Sequence, residues 1–191
     1  TYSQSEICRV LEQSISPVRE ALKLLQHDGF IEILPRSGIR ILKPDLALFR
    51  DCHQFRLIIE LAAIGSYVDT VGDTELESLK NEQLAHFDCV LANRPLAELR
   101  PSQMKIEERL HFGIVGALRN TTIMQSYRLC SEKLNLIRID QGGFTNTQMA
   151  QTAREHMQII EAAFKRDTEA AKEALNIHLM NALHRAMGAV V

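Results

Sequence analysis

Glu107 and His111 stand four residues apart, and on a helix that spacing puts both side chains on one face, continued by Ile114 and Leu118. Two polar groups in an otherwise apolar stripe look toward a core. His156 falls in a stripe with Ala153, Ile160 and Ala163, and His178 in one with Ala171, Ala174, Leu175 and Ala182, so both also face inward. Asp167, at a turn signal, lies 11 residues after His156 and 11 before His178, which sets the two histidines level across an antiparallel helical hairpin. Three histidines and a carboxylate converging in an apolar bundle form a ligand set for a divalent transition metal. Neutral imidazole and carboxylate suit zinc, nickel, copper or iron, with zinc and nickel expected first, and such a set leaves coordination positions open. The bland alternative is four satisfied core residues, which is the better reading of any one histidine taken alone. His27, His53, His86 and His184 lack such a setting and receive no role.

Arg56 opens an Arg-x-x-x-Glu spacing with Glu60. An ordinary ion pair is one reading, although cation before anion is the weaker order on a helix. Arg128 and Arg138 share a helix with apolar Leu129, Leu134 and Ile137 and are able to meet a carboxylate, with nothing in the sequence to fix their direction.

The elements that must position these residues are mostly helices. Ser3-Gln4-Ser5-Glu6 has capping-box form and predicts a short helix over 4–12. A second follows, with Ser14 as its cap, Pro17 tolerated in its first turn, Val18, Ala21, Leu22 and Leu25 as its apolar face, and Gly29 as its stop. Two short apolar runs, 30–34 and 39–42, flank Pro35-Arg36-Ser37-Gly38 and predict a hairpin. After Pro44 strand signals vanish, and helical periodicity predicts helices over 46–70, 73–92, 96–119, 122–139, 147–165 and 168–187. The expected fold is therefore mainly α: a winged helix-turn-helix over 1–44 and an all-α antiparallel bundle of six helices over 45–191. The chain begins at Thr1 directly ahead of a helix signal, so the winged head is expected to be partial, without its usual first helix.

Bulk properties bound the function. With 46% apolar and 24% charged residues among 191, the chain has the makeup of a globular protein able to bury one or two cores. No apolar run is long enough for a membrane span, and no signal sequence opens the chain, so a cytoplasmic address and no membrane partner are expected. Cys8, Cys52, Cys89 and Cys130 are widely spread with no C-x-x-C pair, so neither a zinc knuckle nor a disulfide framework is suggested and reduced thiols are expected. The net charge is −2, and six basic against five acidic residues leave the first 44 at only +1, so charge alone does not call for a nucleic-acid partner.

The run Ser14-Ile15-Ser16-Pro17-Val18-Arg19-Glu20-Ala21-Leu22, followed by Leu25, Asp28-Gly29-Phe30-Ile31 and Arg36-Ser37-Gly38, resembles the head of the GntR family. The remainder resembles the FCD domain of the FadR subfamily, through Arg56 to Glu60, Glu107 to His111 with Asn120, Glu155-His156 and His178-Leu179. Ile15 stands where that family usually carries an arginine that reaches DNA. Glu107 stands where the metal motif normally has aspartate, and its extra methylene shifts the carboxylate. The resemblance implies DNA contact by Ser14, Ser16, Arg19 and Lys23 of the recognition helix and by Arg36 and Gly38 of the wing. Helix-start hydroxyls and amides suit phosphate, arginine can read guanine, and Gly38 permits a tight turn or a close backbone approach. The plain alternative is a solvated helix face with a capping serine.

The resemblance also implies that Glu107, His111, His156 and His178 bind the metal, and that open positions on it accept water or the carboxylate of a small effector. Arg56 is then expected to point toward the effector pocket. The expected function is a homodimeric, ligand-responsive bacterial transcription regulator, most simply a repressor, that binds double-stranded operator DNA and a small organic acid. Two other classes compete. One is a metal-dependent enzyme on a helical bundle, for which no residue offers itself as nucleophile or base. The other is a helical interaction module with a degenerate head.

Overall fold

A computed structural model describes residues 1–35, 37–43, 45–140 and 145–186. The chain divides into two compact units, Thr1–Asp45 and Leu46–Val191.

In the first unit, α1 (Gln4–Leu11) starts at a complete capping box, in which Ser3 accepts from the Glu6 backbone and the Glu6 side chain returns to the Ser3 backbone. It stops where Glu12 turns left-handed at φ 52°. α2 (Ile15–His27) follows after a short turn, then the antiparallel pair β1 (Ile31–Leu34) and β2 (Gly38–Ile41), with Ile31 opposite Ile41 and Leu34 opposite Gly38. The buried core is small: Val18, Leu22, Ile31 and Ile39. Of the four residues expected on the inner face of α2, Val18 and Leu22 are buried, whereas Ala21 and Leu25 are exposed. A hairpin of two four-residue strands and one short helix cover only a narrow stripe of α2. Arg36 lies outside the described residues.

The second unit is six helices: α3 (Leu46–Thr70), α4 (Asp73–Leu91), α5 (Leu96–Gly116), α6 (Thr121–Asp140), α7 (Asn146–Phe164) and α8 (Thr168–Ala186). α7 packs against α8 and α4, and α3 packs against α5, α6 and α8, so α3 and α7 form the centre of the bundle. The core runs through Ile64, Val68, Leu76, Leu110, Ile114, Ile159, Ile160 and Leu175, all with almost no exposure. α5 ends three residues before the expected boundary. Arg119 adopts φ 51° there, and the Asn120 side chain accepts from the Ile123 backbone, so Asn120, at the expected break, caps the start of α6. The α7–α8 turn follows the sequence closely: Arg166 is left-handed and Asp167 accepts from the Ala170 backbone. Among the described residues no helix is long and apolar enough to cross a membrane.

Candidate functional site

Glu107 and His111 on α5, His156 on α7 and His178 on α8 are all buried, and one ligand atom from each lies within 4.8 Å of the others. His178 Nε2 is 3.3 Å from His111 Nε2, and His156 Nε2 is 3.5 Å from Glu107 Oε1. Glu107 Oε2 is 3.7 Å from His111 Nε2. The rings cluster tightly, with 4.6 Å between the centroids of His156 and His178. The 11-residue symmetry about Asp167 thus becomes direct contact across the α7–α8 hairpin.

The opposite nitrogen of each ring faces an oxygen. His111 Nδ1 is 2.6 Å from Glu60 Oε2, His156 Nδ1 is 2.9 Å from Gln83 Oε1, and His178 Nδ1 is 2.8 Å from Glu155 Oε2. An imidazole that donates from Nδ1 carries its lone pair on Nε2. The Nε2 atoms of all three rings therefore converge beside the Glu107 carboxylate. His156 Nε2 is buried without a hydrogen-bond partner. A group of this kind is costly to bury unless a cation shares it, and the arrangement fits a metal ion held by imidazole and carboxylate.

Behind the rings sits a charged network. Glu60, fully buried, accepts from Arg56 Nε at 2.8 Å, from the Tyr127 hydroxyl at 2.6 Å and from His111. Burial alone would raise its pKa. The Arg56 charge, then His111 and Tyr127, outweigh burial and hold the carboxyl well below the usual range. Burial pushes the pKa of His111 down, and that of His156 further down, so both rings are neutral in the fold. Burial would also raise Glu155, but Arg185 and His178 hold it at about 2. Arg185 reaches its two oxygens at 2.7 and 2.9 Å. Gln103 donates to Glu107 Oε1 at 3.1 Å.

Sequence reasoning found the four converging residues and missed their supports. Glu60 was visible only as half of an ion pair. Gln83 had a signal available: it is the one amide in the buried stripe of Leu76, Leu79, His86 and Val90 on α4. Tyr127 and Arg185 carry no spacing signal, since their partners lie 67 and 30 residues away.

A cavity of about 500 Å³ opens beside Glu107 and His111, between α5 and α6, and Arg56 and Arg128 line it. Arg56 is both paired with Glu60 and part of the cavity wall, so its two sequence readings are compatible. The side chain of Arg138 lies outside the described residues.

In the first unit Ser14, Ser16, Arg19 and Lys23 are exposed along the start and one face of α2. Ser14 occupies the N-cap position, yet its hydroxyl makes no capping bond. Lys23 pairs with Glu20 at 2.8 Å. Gly38 has φ +100°, and a Cβ there would meet the Tyr2 carbonyl oxygen at 2.6 Å. Its glycine requirement thus has an internal cause, the backbone pairing of Tyr2 with Ile39.

Known proteins match this architecture. The FCD domain family model matches residues 51–181. The HTH-type transcriptional regulator YdhC of Bacillus subtilis is 24% identical over 177 residues, covering 92% of this chain and 76% of that protein. A GntR transcriptional regulator from Rhodococcus sp. RHA1 superposes with a TM-score of 0.78 at 17% identity, covering 100% of this chain and 88% of that one. A zinc-bound FCD domain of a transcriptional regulator superposes with a TM-score of 0.60 at 25% identity, covering 75% of this chain and 94% of that one. A family match over more than half of the chain, joined to relatives that are transcriptional regulators, leads to one assignment: the chain belongs to the FCD-domain family of transcriptional regulators.

Proposed function

We propose that the chain is a metal-dependent, ligand-responsive bacterial repressor, in which Glu107, His111, His156 and His178 would hold one divalent transition ion. The observation that carries this reading is the convergence of three Nε2 atoms on Glu107 while each Nδ1 is committed to an oxygen behind it. That outer layer is what a histidine metal site needs to fix tautomer and ring direction. Zinc or nickel suits the donor set, and zinc is present in one FCD domain of the same architecture. Bound there, the ion would offer an open coordination position to a carboxylate. The cavity beside it, with Arg56 in its wall, has the size of a small-molecule site.

The effector is accordingly a small organic acid. Residues 1–44 serve as a winged helix-turn-helix, in which Ser14, Ser16, Arg19 and Lys23 of α2 and Arg36 and Gly38 of the wing would contact operator DNA. Two copies form the DNA-binding species, because one short helix makes too few base contacts for operator specificity and a two-fold protein matches a palindromic site. Residues 45–191 bind metal and effector.

The deciding experiment is elemental analysis of purified protein followed by thermal unfolding with and without chelator. About one equivalent of transition metal and a clear loss of stability on chelation are expected. Protein that carries no metal, takes up none and melts identically with chelator would refute the reading.

A further inference from the structure

The cavity next to Glu107 and His111 holds about 500 Å³, far more than one carboxylate group fills. One of its walls is α6, where Arg128, Ser131 and Asn135 all line it at i, i+3 and i+7, a single polar face of the helix. Arg128 has an obvious partner that it does not take. Glu132 lies four residues on and borders the same cavity, yet among the described residues no ion pair joins the two. The guanidinium lies instead over the ring of Phe112, 5.3 Å from its centroid. Phe112 is itself fixed edge-to-face against Tyr127, which hydrogen-bonds Glu60. Held by a cation–π contact, with no ion pair or hydrogen bond among the described residues, the guanidinium keeps its N–H donors available for a bidentate anion.

Arg56, Arg100 and Arg128, with Lys105, all border this cavity, and depth separates Arg56 from Arg128. Arg56 is 4% exposed, whereas Arg128 is exposed. Met104, Leu134 and Met149 give the cavity an apolar part of its lining. Arg56, paired with Glu60, thus stands at the buried side of the cavity and Arg128 toward the solvent side.

We infer that the ligand of this cavity is a small dicarboxylate, one carboxylate lying at the Glu107–His111 end and the other on the in-plane edge of Arg128. The inference rests on the proposed metal-and-carboxylate reading and adds a second anchor to it. Bidentate binding at Arg128 selects for the second carboxylate, and the apolar lining of Met104, Leu134 and Met149 accommodates a short carbon chain.

The test is calorimetric titration of the zinc-loaded full chain with butanedioate, pentanedioate and hexanedioate against butanoate, pentanoate and hexanoate, in the natural protein, Arg128→Ala and Arg128→Lys. At least one diacid should bind tenfold or more tightly than its matched monoacid. Arg128→Ala should erase that advantage while leaving monoacid affinity and bound zinc unchanged, and Arg128→Lys should recover only part of it, because an ammonium lacks the bidentate edge. Equal affinities of diacid and monoacid in the natural protein, or a diacid preference that survives Arg128→Ala, would overturn the second anchor. Monoacid binding that disappears on chelation shows the metal-and-carboxylate reading standing independently of that result. No carboxylate binding to zinc-loaded protein would overturn both.

Discussion

His111, His156 and His178 are each held from behind: a carboxylate, an amide oxygen and a second carboxylate lie within hydrogen-bond distance of their Nδ1 atoms, and this turns three Nε2 atoms toward one point. Removing one ring removes a ligand and leaves a buried acceptor behind it. His156→Ala and His178→Ala are each expected to lower bound metal by at least tenfold in a competition titration, with His184→Ala, an exposed position, unchanged. Equal metal content in all three variants would reject the ligand assignment. The same environment sets a pH dependence. His111 and His156 have pKa values lowered by burial, so the folded metal-free chain binds fewer protons than the unfolded one as pH falls below the ordinary histidine value of about 6.5. Stability from these groups is present above that value and is lost as pH falls through it. Metal-free protein should therefore melt at a lower temperature at pH 5.5 than at pH 7.5, and a wider gap is expected with metal bound, since protonated imidazole cannot ligate. Indifference of both forms to pH in this window would contradict the neutral-histidine assignment.

At the scale of the element, α3 is the helix on which the site depends, although it supplies none of the four converging residues. Its inward stripe of Phe49, Cys52, Arg56, Glu60, Ala63, Ile64, Tyr67 and Val68 carries an ion pair through the core. Glu60 satisfies Arg56, Tyr127 and His111 together. Glu60→Ala would strand a buried guanidinium, and the cost should be about 3 to 5 kcal/mol in urea unfolding. A loss below 1 kcal/mol would mean that Arg56 finds water or another partner. α5 shows the ordinary packing counterpart. Ile114, one turn beyond His111 and with no exposed surface, should cost about 2 to 5 kcal/mol when truncated to alanine, without altering metal stoichiometry. A change in bound metal per folded molecule would show that packing and ligation on α5 are not separable.

At the scale of the whole molecule, the regulator assignment carries a prediction about DNA. Binding of an operator duplex should weaken steeply with salt as phosphate contacts release counterions. Arg19→Ala should lose about 1 to 3 kcal/mol of specific binding if Arg19 reads a base. An unchanged gel-shift titration would remove Arg19 from the interface.

The sequence alone determined which stretches are helical, where most of them stop, and which four polar residues turn inward. These are local facts: a capping box at Ser3, a 3.6-residue periodicity, and an 11-residue symmetry about Asp167 that one hairpin converts into contact. It also held enough of a family's motifs, from Ser14 to Leu22 and from Glu107 to His111, to indicate a regulator. Tertiary structure alone decided the rest. That Glu60 meets Tyr127, that Gln83 meets His156 and that Arg128 stacks on Phe112 beside a cavity are facts about separate helices, joined only once α3, α4, α5, α6 and α7 pack. Periodicity says that a side chain faces inward. It does not say what it faces there, because that depends on helix neighbours and rotations set by the burial of the whole core.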